Sequence, residues 1–574
     1  MFSDKKNINI LTSLLVAHGV KRVVVCPGSR NAPIVHNFNE CADITCYPVT
    51  DERSAGFYAL GMALADNSPV AVCVTSGTAL LNVVPAVAEA SYRHRGIVVI
   101  SADRPLEWID QLDGQTLPQS GAFGKYVSKC VSLSEPNNEQ EHWYCNRVVN
   151  EALIAVKTHE RKSVHINVHI NEPLFNFTQQ ELPLERKISY MPSVMNLDAL
   201  RTIAERIQTA HKPMIIVGQT RSRNSEVTDA IKTIGRKVVT ISETLASDVI
   251  THFDLMLSRI GKDERYMPDF ILFLGDNMVS KRLKKFLRLS HPAESWAICE
   301  DREIHDTFMH LTGIIEADYK EALTALAKMI NETEGMQDGV SDLDNAEFRH
   351  IWHEQIKIID EKITAYDPQY SQMSAVKIFE EALADMDYEY HVHYANSSAV
   401  RLADIYSDHY VWCNRGVNGI EGSLSTAAGF SVACRDMVFC VIGDLSFFYD
   451  QNALWNTNLR GNFRMLLLNN GGGGIFYNLK GLKESNACEK LVAACHMTTA
   501  QGICTQNDIG YMSARNAEEL RLGIAMLLAS DAKRPMLLEV FTDISDDSNA
   551  LSELVKNINK YGTEKLGINK WIRL

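Results

Sequence analysis

Two short apolar runs constrain this chain more than any other feature. Met437–Ile442 ends abruptly at Gly443-Asp444, and Phe463–Leu468 ends at Asn469-Asn470 followed by four glycines. The segment between them predicts a helix over about Gln451–Leu459. Strand, crossover helix and strand form the βαβ unit of a parallel sheet. Ligands of open α/β sheets bind beyond the carboxyl ends of the strands. Asp444 and Asn470, 26 positions apart in the chain, both fall at such ends. A carboxylate and an amide oxygen suit a hard divalent cation, which takes oxygen ligands and often shares a phosphate. Glycines let backbone approach that phosphate closely. A metal-bridged diphosphate site is one reading. The other is a helix capped by Asp444 beside a plain glycine loop.

The same pattern of buried strand, polar turn and helix recurs along the chain. Lys21–Cys26 runs into Pro27-Gly28-Ser29-Arg30, a turn at which Ser29 and Arg30 could hold a carboxylate or phosphate. Pro48–Phe57 places Asp51-Glu52-Arg53 at a helix start, where an acidic residue ordinarily serves the helix dipole. Val70–Val74 leads into Thr75-Ser76-Gly77, and Ile97–Ser101 into Ala102-Asp103-Arg104-Pro105. Val164–Ile170 alternates with period two. Its His165, Asn167 and His169 share a face, read as the polar face of a strand in preference to a metal site. Pro213–Val217, Lys237–Ile241 and Phe270–Leu274 predict strands of a second α/β unit. That Rossmann-like pattern is weak evidence of nucleotide binding. Asn331–Asp344 is acidic and aperiodic and reads as a linker. A third unit begins with the helical pattern Tyr370–Ala384, and Met536–Val540 reads as its last strand. The boundaries are 1–180, 190–335 and 350–574, and the fold class is α/β with three consecutive doubly wound parallel-sheet domains.

Composition narrows the function. With 574 residues, 46% apolar and 22% charged, the chain has material for several cores. A net charge of −14 argues against a nucleic-acid partner. No apolar run is long enough for a membrane span, and the N-terminus lacks a signal-peptide cleavage pattern. Thirteen cysteines without a Cys-x-x-Cys pair read as reduced thiols of a cytoplasmic protein.

The Gly443-Asp444 and Asn469-Asn470 pair resembles the cofactor motif of the thiamine-diphosphate enzymes. The variant Gly-Asp-Leu-Ser, Asn-Asn, Gly-Gly-x-Ile-Phe is similar to that of the menaquinone-pathway synthases that make 2-succinyl-5-enolpyruvyl-6-hydroxy-3-cyclohexene-1-carboxylate. Other blocks carry the likeness along nearly the whole chain: Pro27–Arg30, Asp51–Arg53, Thr75–Ala79, Asn396-Ser397 with Val400-Arg401, and Asn414–Gly422. The resemblance implies Glu52 as the glutamate that activates the aminopyrimidine. It implies cofactor contacts from Pro27, Glu52, Thr75, Ser76, Gly77, Gly419, Ile420, Gly443, Asp444, Leu445, Ser446, Asn470, Gly472, Gly473, Ile475 and Phe476. Ile420 would wedge the cofactor into its bent shape; core packing is the plainer alternative for that residue. Asp444, Asn470 and the Gly472 carbonyl would hold Mg²⁺ or Mn²⁺. Ser29, Arg30, Arg104, Gln115, Lys281, Arg282, Ser397, Arg401 and Arg415 would bind the dicarboxylates 2-oxoglutarate and isochorismate. Arginine suits that task because its fork pairs bidentately with a carboxylate. The implied reaction decarboxylates 2-oxoglutarate and adds the succinyl-semialdehyde carbanion to isochorismate, in a homo-oligomer with sites at a dimer interface. Gly471 and Gly474 depart from the related pattern, which carries Asn and Gln there. Another thiamine-dependent 2-oxoacid decarboxylase, an acetohydroxyacid synthase or a non-catalytic scaffold of the same fold are the rival readings.

Overall fold

Among the described residues sixteen strands sort into three sheets, and every pairing between these strands is parallel. The computed structural model describes residues 1–574 except 159, 191–194, 293, 302, 333–339, 480, 483 and 560–574. The first sheet holds β1 (Arg22–Val25), β2 (Thr45–Pro48), β3 (Ala71–Val74), β4 (Val98–Asp103), β5 (Val127–Leu133) and β6 (Ser163–His169), in the order β2-β1-β3-β4-β6-β5. The second holds β7 (Pro213–Val217), β8 (Val239–Ser242), β9 (Phe270–Leu274), β10 (Glu294–Cys299) and β11 (Gly313–Glu316), in the order β11-β10-β9-β7-β8. The third holds β12 (Tyr390–Tyr394), β13 (Met437–Gly443), β14 (Phe463–Asn469), β15 (Gly510–Ala514) and β16 (Met536–Phe541), in the order β12-β13-β14-β16-β15.

Parallel strands need crossover connections, usually helical, which bury both faces of a sheet. In β13, Val438, Cys440 and Ile442 enter one core, while Phe439 and Val441 enter another. One core is shared by the first and third sheets and another by the second and third, so the third sheet is the hub.

The first core is bridged by two helices, Glu52–Asp66 and Ser423–Ala433. They meet at glycines: a Cβ on Gly61 would overlap the Thr426 carbonyl, and one on Gly429 would overlap the Tyr58 backbone.

The strand order reverses between β1 and β3 in the first sheet and between β7 and β9 in the second. Such switch points open a ligand crevice. In the second sheet the crevice is closed by its own loops: the Gln219 N–H donates to the Asn277 carbonyl (3.1 Å) and the Asp276 N–H to the Gln219 carbonyl (2.9 Å). The same loops grip the third unit. Gln219 Nε2 donates to the Cys413 carbonyl (2.9 Å), and Asn277 Nδ2 to those of Arg415 (3.1 Å) and Gly416 (3.0 Å).

Two expectations are corrected. The expected helix over Gln451–Leu459 is absent: a helix starts at once, Asp444–Tyr449, and a 3-10 turn, Gln451–Leu454, follows. Asp450 ends the helix by turning inward to Ser425, and Asn456 and Asn458 take up local backbone bonds that compete with helix. Of the expected linker, Asn331-Glu332 closes one helix and 340–344 opens another, Val340–Ala365, while 333–339 lie outside the described residues. No described helix is long and apolar enough to cross a membrane.

Candidate active site

β13 and β14 are neighbours with Gly443 opposite Leu468, so Asp444 and Asn469-Asn470 emerge side by side. Asp444 does not cap its helix. Its Oδ1 accepts from the Leu445 N–H (2.6 Å), and its Oδ2 accepts from Gly471 (2.8 Å) and Gly472 (3.0 Å) across the strand ends. Burial pushes the Asp444 carboxyl up, against the pull of those N–H groups and of His496.

Asn469 fastens the loop: its Nδ2 donates to Glu539 (2.7 Å) and the Thr498 carbonyl (3.0 Å), and its Oδ1 accepts from Gly471 (3.1 Å). Asn470 Nδ2 donates to Asp547 Oδ2 (2.7 Å). The Gly472 carbonyl accepts from the Gly474 N–H (3.0 Å). His496 accepts at Nδ1 from the Thr498 N–H (3.1 Å), which leaves Nε2 protonated, 3.4 Å from Asp444 Oδ2. Gly471 has φ +78°, a region asparagine tolerates better than other L residues, but a Cβ there would stand 3.0 Å from the His496 carbonyl, so the asparagine of the related pattern requires that carbonyl to give way.

Ser446 Oγ donates to the Ile420 carbonyl, tying the Asp444 helix to the loop after Trp412. The Ile420 side chain is 41% exposed and is no part of the core. Asn396, between Tyr394 and the Ser398–Tyr406 helix, holds that loop: its Nδ2 donates to the Gly419 carbonyl (2.7 Å), and Arg415 donates to its Oδ1 (3.0 Å). Arg401 donates to the carbonyl of Ser397 (2.9 Å), a residue held at φ +77°. Strain of that kind persists only where its surroundings enforce it.

Arg401, Arg415 and Arg282 stand close together. Burial and then the neighbouring Arg415 push the Arg401 guanidinium down. Counter-charges that no local pattern announces complete the cluster. Asp254 pairs with Arg282 and accepts from Ser280 Oγ (2.5 Å), and Glu243 accepts the N–H groups of Val279 (2.7 Å) and Ser280 (2.8 Å). Burial pushes Glu243 up to about 7. Lys281 opens the same helix and is exposed. Sequence reasoning misses Glu243 and Asp254 because each acts on residues brought in by the fold.

The second group of expected residues lines the carboxyl end of the first sheet. Pro27 and Ser29 are exposed at the switch point, while Thr75 and Ser76 are buried. Glu52 opens its helix and accepts from Asn82 Nδ2 (3.1 Å). Arg53 beside it donates to the Tyr449 carbonyl (2.7 Å) and stacks on the Tyr449 ring. Arg30 is buried against the Ile170 carbonyl (3.1 Å) and Glu172 (3.2 Å). Arg104 pairs with Asp113 (2.9 Å), and Gln115 sits at φ +56°. The period-two strand carries a buried polar network: Gln119, 1% exposed, joins the Gly77 N–H (2.8 Å) to Asn167 (2.7 Å), and Asn167 reaches Asp103 (2.8 Å). Among the described residues no three His, Cys, Asp or Glu side chains form a metal-holding group.

The thiamine pyrophosphate enzyme N-terminal TPP-binding domain family matches residues 7–122. The 2-succinyl-5-enolpyruvyl-6-hydroxy-3-cyclohexene-1-carboxylate synthase of Bacteroides thetaiotaomicron is 43% identical over 567 residues, 96% of this chain and 99% of that protein. The synthase of the same name from Phocaeicola vulgatus is 41% identical over 98% of this chain and all of that protein, and the one from Christiangramia forsetii 33% over 95% and 97%. This chain belongs to that synthase family. Within the synthase family it is a thiamine-diphosphate enzyme, of transferase type.

The expected site residues therefore fall into two groups. The third sheet, with the middle unit's Lys281–Leu287 helix, gathers Asp444, Asn470, Gly472, Ser397, Arg282, Arg401 and Arg415. The first sheet presents Glu52, Thr75–Gly77, Arg104 and Gln115.

Proposed function

We propose that this chain decarboxylates 2-oxoglutarate and joins the resulting four-carbon unit to isochorismate, giving 2-succinyl-5-enolpyruvyl-6-hydroxy-3-cyclohexene-1-carboxylate and CO2 in menaquinone biosynthesis. The observation that carries the reading is the convergence of Arg282, Arg401 and Arg415, from three separate elements, on the loop that Ile420 and Ser446 join to Asp444. A chain of net charge −14 concentrates cations at this point, as two dicarboxylate substrates require. Small neutral acceptors would not call for such a cluster.

The donor set suits the metal and diphosphate. Asp444 supplies a carboxylate, Asn470 an amide oxygen and Gly472 a carbonyl, all hard oxygen ligands fit for Mg²⁺ or Mn²⁺. Open space lies in front of Gly443, and His496 Nε2, beside Asp444, is buried without a hydrogen-bond partner among the described residues. Thiamine diphosphate, when bound, supplies an electron sink for the carbanion chemistry. Glu52 would hold the aminopyrimidine of the bound cofactor through its carboxylate. Gly419, Ile420, Leu445, Ser446, Gly473, Ile475 and Phe476 would line the cofactor from the third unit, and Pro27 and Thr75–Gly77 from the first. Arg401 and Arg415 with Ser397 orient substrate carboxylates, and Arg30, Arg104, Gln115, Lys281 and Arg282 complete the set.

We assign residues 1–180 to pyrimidine binding, 190–335 to the central unit and 350–574 to diphosphate binding. We place the complete site between two copies of the chain. Leu106, Trp108 and Leu112 lie exposed on the loop beyond β4, and Val417, Tyr449 and Trp455 lie exposed around the third sheet's end. All thirteen cysteines are free, in keeping with a reducing cytoplasm.

The test is turnover with thiamine diphosphate, Mg²⁺ and 2-oxoglutarate, with and without isochorismate, following CO2 and isochorismate together. Coupled loss of both substrates is expected, and Glu52→Gln should reduce it at least a hundredfold. CO2 release indifferent to isochorismate would make the chain a decarboxylase, and cofactor binding without turnover would make it a scaffold.

A further inference from the structure

The two ends of the Asn470 side chain are chemically opposite, and only its oxygen can ligate a hard cation. The structure fixes which end faces where. Asn470 Nδ2 donates to Asp547 Oδ2 (2.7 Å), and Thr542 Oγ1 donates to the same oxygen (3.0 Å). The other carboxylate oxygen, Oδ1, accepts the Gln372 backbone N–H (2.7 Å). Asp547 lies in the first turn of the Ile544–Asn559 helix, far along the chain from the loop it touches. A carboxylate only accepts, so it selects the amide's NH2 end and turns the oxygen away from itself. Gly474 makes room for this: a Cβ there would stand 3.0 Å from Asn470 Nδ2.

We propose that Asp547 is a positioning residue that sets the orientation of the Asn470 amide, so that its oxygen is presented to the cation, and that Gly474 is the glycine which permits this arrangement. The proposal rests on the metal-diphosphate reading of the Asp444–Gly474 site. It accounts for the departure at residue 474: space that a larger side chain would fill is given to the amide.

Two variants separate orientation from bulk support. In Asp547→Asn the new amide has one acceptor where two are needed. The Gln372 backbone N–H cannot turn away and claims the oxygen. The NH2 end then faces Asn470, which flips its own oxygen towards it and away from the cation. In Asp547→Ala nothing directs the flip. Orientation control therefore predicts that the near-isosteric asparagine is the more damaging substitution, whereas a purely structural role predicts the reverse.

The experiment titrates Mn²⁺ into the full-length protein with saturating thiamine diphosphate, following free Mn²⁺ by electron paramagnetic resonance. Mn²⁺ affinity should fall about tenfold or more in Asp547→Asn, in line with partners that orient metal ligands, and less in Asp547→Ala. Far-UV circular dichroism checks folding. Equal affinity in parent and Asp547→Asn, or alanine as the worse of the two, overturns the proposal. If the asparagine variant does not fold, Gly474→Ala serves: its methyl should push the amide off Asp547 and weaken Mn²⁺ binding, and unchanged binding overturns the proposal equally. A parent protein that takes up no Mn²⁺ with the cofactor would instead overturn the site reading beneath it.

Discussion

Asp450 is a single carboxyl whose surroundings translate into a pH response. It is fully buried and accepts the Ser425 N–H (2.7 Å) and Oγ–H (2.8 Å), which pins the end of the Asp444 helix to the helix that follows Gly422. Burial pushes it up to about 7, against the opposing pull of Ser425 and Arg53. The unfolded chain releases this proton near pH 3.9, so between about 4 and 7 the folded state holds a proton that the unfolded state has lost. The stability it supports is complete below that range and is lost as pH rises through about 7. Asp450→Asn removes the titration. Its melting temperature relative to the parent should therefore rise by a few degrees between pH 5 and pH 8, since each tenfold difference in proton affinity between folded and unfolded chain is worth about 1.4 kcal/mol. Parallel melting profiles in the two proteins would eliminate Asp450 as the titrating group. Glu243, pushed the same way, acts in the same direction and should leave a residual slope.

At the scale of elements, the pair of helices that joins the first and third sheets governs where Glu52 stands. Alanine at Gly61 or Gly429 would force apart two backbones in direct contact. Each substitution should cost about 1–3 kcal/mol, the usual penalty of overpacking. Because Glu52 opens one of these helices, kcat should fall while the KM for 2-oxoglutarate stays within about twofold of the parent. Melting curves beside steady-state kinetics check both, and full stability in Gly61→Ala would show that the helices do not meet there. These elements also show what is legible in the sequence. The central strands β1, β3, β4, β7, β9, β13 and β14 are continuous apolar runs, and both strand-end motifs lie beside them. Four of the six edge strands, β2, β5, β11 and β15, give no such signal. They are partly exposed, as in the Thr45–Pro48 strand, and so carry mixed polarity. The site divides likewise. Asp444 and Asn470 announce themselves through local pattern, and the arginines through the family resemblance of the blocks that carry them. Asp547, Glu243 and His496 do not, because each is defined by a partner that only the folded chain brings near. Local pattern places the Asp444 helix several residues too late, because its end is set by Asp450 and Ser425, a long-range contact.

At the scale of the molecule, the proposed site between two copies of the chain can be tested at one face. Leu112, fully exposed, and Trp108 lie on the loop that carries Arg104 and Gln115. Replacing both with Asp should give a monomer by analytical ultracentrifugation and lower turnover at least tenfold, with folding intact. A variant that remains dimeric and active would remove this face from the interface. The middle sheet carries a different lesson, one about interchangeability. Its switch-point crevice, the place where a nucleotide would sit in an open sheet of this kind, is stitched shut by Gln219, Asp276 and Asn277. The side chains left over from the stitching hold the carbonyls of Cys413, Arg415 and Gly416. A cavity spent as a fastener cannot be reopened without loosening what it fastens. The middle unit is thus not a spare part: a nucleotide-binding sheet grafted in its place would match it strand for strand and still leave the arginine loop held only from its other side, by Glu89.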